Sequence, residues 1–348
     1  MADHGLASNR TDQVVQVAQA GERNAQEGPV HLQMIYWGIN ALNHGSSLAV
    51  LHDDYLMSWT VDKNDQFSDA IVKQALCMGQ PDEIFWYENP WLKKSRQLFA
   101  GQYAAALDRK VLPKHYLNSI GLRSTLTYTP HHASHAAAGY YTSPFYHAAI
   151  VVLDAIGEWD CASIWQAQDK QIRKIWSRRY PHSLGLFYSA FTKLVGLEPI
   201  RDEGIFQQLS RSGDSTRYQD DIREYMSGMI QAEKNLHRGV YDWPYPPVTD
   251  KDRRDIAAAV QAVFEQQVST VMQLAKTLTN CDNLVYMGGC AMNSQANRAV
   301  VEPHWRQIWS LPQPGDPSSA IGAVLYHTQQ RIRNYDWGPV KHIAINIG

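Results

Sequence analysis

Cysteine is scarce. The chain has four, Cys77, Cys161, Cys281 and Cys290, among 348 residues, and none stand at a CxxC spacing. That excludes a disulfide framework or a cysteine zinc site and fits the reduced thiols of a cytoplasmic protein. Long apolar runs are missing as well. No stretch approaches the roughly 18 residues of a spanning helix, and Met1 to Gly28 lacks the apolar stretch of a secretory leader. No membrane association is expected. Charge of one sign is also absent: Lys and Arg number 32 against 34 Asp and Glu, a formal charge of -2. This excludes the chain-wide basic footprint of a non-specific nucleic-acid binder, though not a local one. What is present is 44% hydrophobic and 19% charged, enough to bury a large core.

Residues 1–31 read as a polar tail. Ile35 to Asn40, Ser46 to Leu51 and Tyr55 to Thr60 read as a three-strand meander with a turn at His52-Asp53-Asp54. A helix from Gln66 to Met78, a strand from Glu83 to Tyr87 and a helix capped by Asn89-Pro90 follow. The order recurs further on. Ala148 to Asp154, Cys161 to Gln166 and Ile172 to Ser177 are strands, and Ser183 caps a helix. Leu284 to Met287 and Ile308-Trp309 are strands, with helices from about Met292 and from Ser318 to about Ile332. The expectation is a duplicated α/β architecture, one lobe over 32–147 and a second over 148–348. A helical insertion at about 202–280 carries a capping-box start at Thr249 and Asp252 and one apolar stripe from Ile256 to Leu278. Asp202 to Pro247 reads as a polar cover.

Four segments carry chemistry. In Thr129-Pro130-His131-His132-Ala133-Ser134-His135, Thr129 reads as a helix cap, and His131 and His135 fall four apart on one face. Such a pair can share a metal ion, or it can be a solvated helix end. Asp154 closes the apolar run Ile150 to Leu153, where α/β sites lie, or it caps the turn before Gly157. Gly157 would let backbone approach a ligand. Gly288-Gly289-Cys290 after a strand suits phosphate approach but is no Walker loop. Asp316 precedes a small-residue helix that it can cap, or it completes a metal site.

Together, His131-His132-x-x-His135, Val152-Leu153-Asp154, Ser183-Leu184-Gly185, Gly288-Gly289-Cys290-Ala291-Met292-Asn293 and Asp316 with Ala320-Ile321-Gly322-Ala323 resemble the O-carbamoyltransferases of nodulation-factor and aminoglycoside biosynthesis. More widely they resemble the hydrogenase-maturation carbamoyltransferase and the tRNA threonylcarbamoyladenosine synthase superfamily. The resemblance implies an actin-like fold of two ribonuclease-H-like lobes around a cleft for nucleotide, metal and carbamoyl donor. It implies His131, His135, Asp154 and Asp316 as ligands of a divalent metal, iron before manganese or zinc. Gly288, Gly289 and Asn293 would lie along ATP or ADP. Asn40, His44 and Ser46 would sit in the first loop near the carbamoyl group, and His44 or His132 would take the acceptor's proton.

Three departures stand out. His44-Gly45-Ser46-Ser47 lacks the family's acidic residue, and Ile205 to Ser210 replaces a family segment. The chain also stops sixteen residues after Ile332, where the resemblance leads one to expect a further domain, so the expectation is either direct transfer or transfer through carbamoyl-adenylate made by a separate partner. The implied reaction is carbamoyl transfer from carbamoyl phosphate to an alcohol, either a sugar or a hydroxymethylated pyrimidine in DNA. The basic, aromatic segment Gln171 to Tyr180 reads as an amphipathic strand and its turn, or as a surface for the phosphate backbone and bases of a DNA acceptor. The rival readings are an ATP-dependent phosphotransferase and a non-catalytic nucleotide-binding subunit.

Overall fold

The computed structural model describes residues 13–16, 34–42, 45–61, 66–67, 69–110, 112–232, 236–240 and 242–332. Two mixed sheets form its frame. The first holds Gln13–Gln16 (β1), Ile35–Asn40 (β2), Ser46–His52 (β3), Tyr55–Val61 (β4), Glu83–Trp86 (β5) and Thr125–Tyr128 (β6), in the order β1-β4-β3-β2-β5-β6. The second holds His147–Gly157 (β7), Asp160–Gln168 (β8), Gln171–Arg179 (β9), Asn283–Met287 (β10) and Gln307–Trp309 (β11), in the order β11-β10-β7-β8-β9. With β1 set aside, both sheets follow one plan. Three antiparallel strands come first, and two parallel strands then add beyond the first of them. β1 lies within the segment read as a polar tail and pairs antiparallel with the outer edge of β4.

The first half adds helices Asp69–Cys77 (α1), Pro90–Phe99 (α2), Tyr103–Leu107 (α3), Pro113–Ser119 (α4) and His131–Thr142 (α5). The second adds Leu184–Leu194 (α6), Glu203–Ser210 (α7), Gln219–Ala232 (α8), Asp250–Thr279 (α9), Ser294–Ala296 (α10) and Ser319–Thr328 (α11). β7 divides its side chains between two cores, as strand alternation requires. Ile150 and Val152 join the core of the first sheet, whereas Val151 and Leu153 join α6 and α9.

The two closing helices are exchanged between the sheets. α5 ends the first half but packs on β7 and β10, and α11 ends the second half but packs on β2 and β3. They cross each other so closely that a Cβ on Gly322 would lie 1.7 Å from the Ser134 carbonyl oxygen. The small-residue run Ala320 to Ala323 is therefore first of all a packing feature.

Several elements differ from expectation for local reasons. Thr129 does not cap α5; its hydroxyl meets His327 Nε2 at 3.0 Å, and Pro130 takes the cap position without a side-chain bond. After β10 the chain forms a 3₁₀ turn, the short α10 and a π turn at Asn297–Val301 instead of one helix from Met292. α11 stops at Thr328 because Gln329 takes a left-handed φ of 51°. The segment read as a polar cover contains α7 and α8, whose Phe206, Ile222 and Met226 are buried in the second core. The capping box of Thr249 and Asp252 forms as read.

Candidate metal centre

The first two turns of α5 place His131 and His135 side by side, with their Nε2 atoms 3.1 Å apart. Asp154 reaches them from a bulge in β7, where the pairing with β8 shifts register between Leu153 and Gly157. Asp154 keeps the parity of Ile150 and Val152, so it lies on the face of β7 that packs against α5. Asp316 comes from the turn before α11. His131 Nε2 lies 3.2 Å from Asp154 Oδ2 and 3.3 Å from Asp316 Oδ1; His135 Nε2 lies 3.6 Å and 3.5 Å from the same oxygens.

These four donors, one from each side chain, all fall within 4.8 Å of one another. Ligands ~2.1 Å from a shared ion stand about 3.0 Å apart at a right angle and about 3.4 Å at the tetrahedral angle. The observed spacings fit one ion, and a set of two imidazoles and two carboxylates suits iron, manganese or zinc. The other Asp154 oxygen, Oδ1, is tied down by the backbone N–H groups of Ala155 and Gly289 at 2.8 and 3.1 Å. That leaves Oδ2 to face the cluster.

The histidines are not a solvated helix end. His131, His132 and His135 are all buried. Burial disfavours protonation of His131 and His135, but hydrogen bonds to Asp154 and Asp316 outweigh it and raise both. Burial likewise opposes ionisation of the two aspartates, yet the same histidines hold Asp154 well below the carboxylate range and lower Asp316. Without a cation the cluster is a set of mutual ion pairs. His132 differs: burial and the neighbouring His131 lower it well below its ordinary value, so it is neutral.

The remaining sequence-selected residues divide. Asn40 donates from Nδ2 to the Asp316 carbonyl at 3.0 Å and so ties the first sheet to the Asp316 turn. Its Oδ1 and the Ser46 hydroxyl are buried and make no hydrogen bond among the described residues. His44 lies outside the described residues. Gly157 admits the rings of His131 and His132; a Cβ there would lie 2.3 Å from His131 Cδ2. Gly288 has φ of 93°, and its absent Cβ makes room for the Leu153 carbonyl. A Cβ on Gly289 would stand 3.0 Å from Asp154 Oδ1. The Asn293 side chain is engaged within the protein, with Gln207, Gln261 and the Ala296 N–H. Cys290 is a buried packing residue whose thiol burial pushes up.

Three neighbours escaped the sequence reading. The Tyr87 ring packs against His131 at 5.3 Å between centroids, tilted by 58°. Glu88 holds Lys93 at 2.6 Å, with its other oxygen 3.9 Å from His131 Nδ1. Glu158 accepts the Asn89 N–H at 2.5 Å and is pushed up to about 7 by burial. The carboxyl end of β5 was the available signal for Tyr87 and Glu88. Glu158 had none, because its turn reads as an ordinary hairpin.

The sequence profile of the family described as carbamoyltransferase N-terminus matches residues 1–325. The chain belongs to that family. An uncharacterized protein of Synechocystis sp., sll1178, is 29% identical to this carbamoyltransferase-family chain over 353 residues, 85% of the chain and 57% of the relative. Nodulation protein NolO of Bradyrhizobium diazoefficiens is 22% identical over 227 residues, 60% of the chain and 41% of that protein. The carbamoyltransferase-family chain thus spans about half the length of these relatives. Full-length HypF in its phosphate- and nucleotide-bound form is similar with a TM-score of 0.49 at 10% identity, covering 91% of this chain and 57% of that one.

Proposed function

We propose that this chain transfers a carbamoyl group from carbamoyl phosphate to an alcohol oxygen, either directly or through a carbamoyl-adenylate. The observation that carries the reading is the convergence of His131, His135, Asp154 and Asp316 in a chain matched almost throughout by the carbamoyltransferase N-terminal family. The repeated strand plan of the two sheets supports an actin-like, duplicated architecture. The barrier to such a transfer lies in charge building on the carbonyl oxygen and in proton loss from a weak nucleophile. A divalent cation held by the four side chains would supply Lewis-acid polarisation of a carbonyl or phosphoryl oxygen. Asp154 and Asp316 present the anionic side of that site, and Gly289 keeps Asp154 Oδ1 turned away from it. Asn40 and Ser46 offer buried polar atoms at the ends of β2 and β3 for the donor.

The acceptor is a sugar hydroxyl or a hydroxymethylated pyrimidine in DNA. The DNA acceptor draws support from β9, the outer strand of the second sheet. There Arg178 lies over the Trp176 ring at 5.7 Å and Arg179 over Trp159 at 5.2 Å. Guanidinium groups placed over indole rings suit a phosphate backbone and stacked bases. The test is mass spectrometry of sugar alcohols and of hydroxymethylcytosine DNA after incubation with carbamoyl phosphate, with and without ATP. A gain of one carbamoyl group on either acceptor is expected. ADP formation with no carbamate ester would replace this reading with phosphoryl transfer.

A further inference from the structure

His132 lies in the first turn of α5, next to the metal-site histidines, but turns towards β8. Its Nδ1 is 2.7 Å from the Ser163 hydroxyl oxygen. That oxygen also lies 2.8 Å from Trp165 Nε1, two residues along on the same face of β8. Both His132 and Ser163 are buried, at 2% and 0% exposure. An indole nitrogen only donates, so Ser163 Oγ must accept from Trp165. The serine proton then has one acceptor among the described residues, His132 Nδ1. If the hydroxyl donates there, Nδ1 is bare and the neutral ring carries its proton on Nε2. In the other tautomer Nδ1–H would point at Oγ and the serine proton would lack a partner, while Nε2 is unpartnered among the described residues in either case. Buried polar groups without partners are costly, so the first arrangement is favoured.

His132 Nε2 is itself shielded from solvent and has no hydrogen-bond partner among the described residues. The ring centroid stands 6.0 Å from that of His131 and 6.4 Å from that of His135. Gly157 leaves the adjoining space clear: a Cβ there would come within 2.8 Å of His132 Cδ2, the carbon bonded to Nε2. We infer that Trp165 and Ser163 fix His132 as its Nε2–H tautomer, and that this N–H is held ready for a carbonyl or phosphoryl oxygen of the bound ligand. His132 is then a hydrogen-bond donor and not the base that takes the acceptor's proton. Ser163 is a positioning residue that acts through it. The identity of the oxygen rests on the carbamoyl-transfer reading; the tautomer does not.

The test is nitrogen-15 NMR of histidine-labelled, zinc-loaded protein, with the His132 signals assigned by difference from His132→Gln. The wild type should show a neutral Nε2–H ring. Ser163→Ala and, independently, Trp165→Phe should each raise the Nδ1–H fraction. Inorganic phosphate or carbamoyl phosphate should move the Nε2–H proton downfield. A shift with phosphate alone assigns a phosphoryl oxygen, and a shift with carbamoyl phosphate only assigns the carbonyl. His132→Gln keeps a side-chain N–H and should retain activity within about tenfold, whereas His132→Ala should lose about a hundredfold. A Nδ1–H ring in the wild type, or a Nε2–H that ignores both ligands, overturns the inference. The expected tautomer and shifts in a protein that carbamoylates no alcohol would overturn the functional reading alone.

Discussion

At the residue scale the burden of the site falls on four donor atoms that have few alternatives. His135 is fully buried, and its Nδ1 has no hydrogen-bond partner among the described residues, so its Nε2 contacts define its role. Replacing His131 or His135 with alanine should lower the affinity for a transition metal by about tenfold or more. Metal analysis of purified variants against wild type checks this, and undiminished metal content in both would sink the assignment. Glu158 makes a second, independent prediction. Burial raises its carboxyl to about 7, above the range of an unfolded chain. Between the unfolded and folded values the native state binds more protons, so its contribution to stability is lost as pH rises from about 4.5 to about 7. Glu158→Gln should therefore stabilise the metal-free protein at pH 8, by at most about 3 kcal/mol, and change little at pH 4.5. Urea midpoints at the two pH values measure it. An equal effect at both would show that the charge is not the cause.

At the element scale the crossing of α5 and α11 decides whether the four candidate donors meet. α5 carries two of them, and Asp316 precedes α11, so the angle and separation of these helices set the cluster. A Cβ on Gly322 would collide with backbone of α5, at 1.7 Å from the Ser134 oxygen. Backbone cannot swing aside as a long side chain can, and overpacking of this kind costs at least about 1–3 kcal/mol. Gly322→Ala should lower the unfolding midpoint and weaken metal binding together. Gly204, inside α7, has nothing within 4 Å of a Cβ. Gly204→Ala should leave metal binding unchanged and stabilise by about 0.4–1 kcal/mol. Chemical denaturation with parallel metal titration separates the two glycines; equal behaviour would show that the crossing is not the constraint.

At the scale of the whole molecule, the near-zero net charge leaves only local patches to hold a polyanion. β9 is such a patch, at the outer edge of the second sheet, with Arg173, Lys174, Arg178 and Arg179 along it. Lys174 is engaged with Asp160 at 2.7 Å, so the arginines at the strand's end are the better candidates for phosphate. Replacing Arg178 and Arg179 with alanine should weaken binding of hydroxymethylcytosine DNA. The log–log salt dependence should flatten by about 2 if each arginine neutralises one phosphate. Fluorescence anisotropy over a salt series gives the slope, and an unchanged slope would remove β9 from the DNA path.

The sequence by itself placed many of the elements and marked out the four side chains that converge. Alternation and turn chemistry placed β2, β3, β7 and β8 within a few residues, because strands and hairpin turns are local features. Helical spacing put His131 and His135 on one face, and Asn89 and Thr249 capped the helices read for them. Only the tertiary structure decided how far apart the four donors stand. Asp154 and Asp316 are 162 positions apart in the chain, and their meeting depends on which face of β7 receives α5 and on the helix crossing, both set by packing between the sheets. For the same reason the glycines around Asp154 proved to serve backbone and ring contacts, with Gly157 against His131, Gly288 against Leu153 and Gly289 against Asp154. A sequence shows that a side chain is missing, but only the folded neighbours show what occupies its place. The Trp165–Ser163–His132 chain was illegible for that reason too: it joins a strand to a helix, and no local pattern encodes which serine a histidine will face.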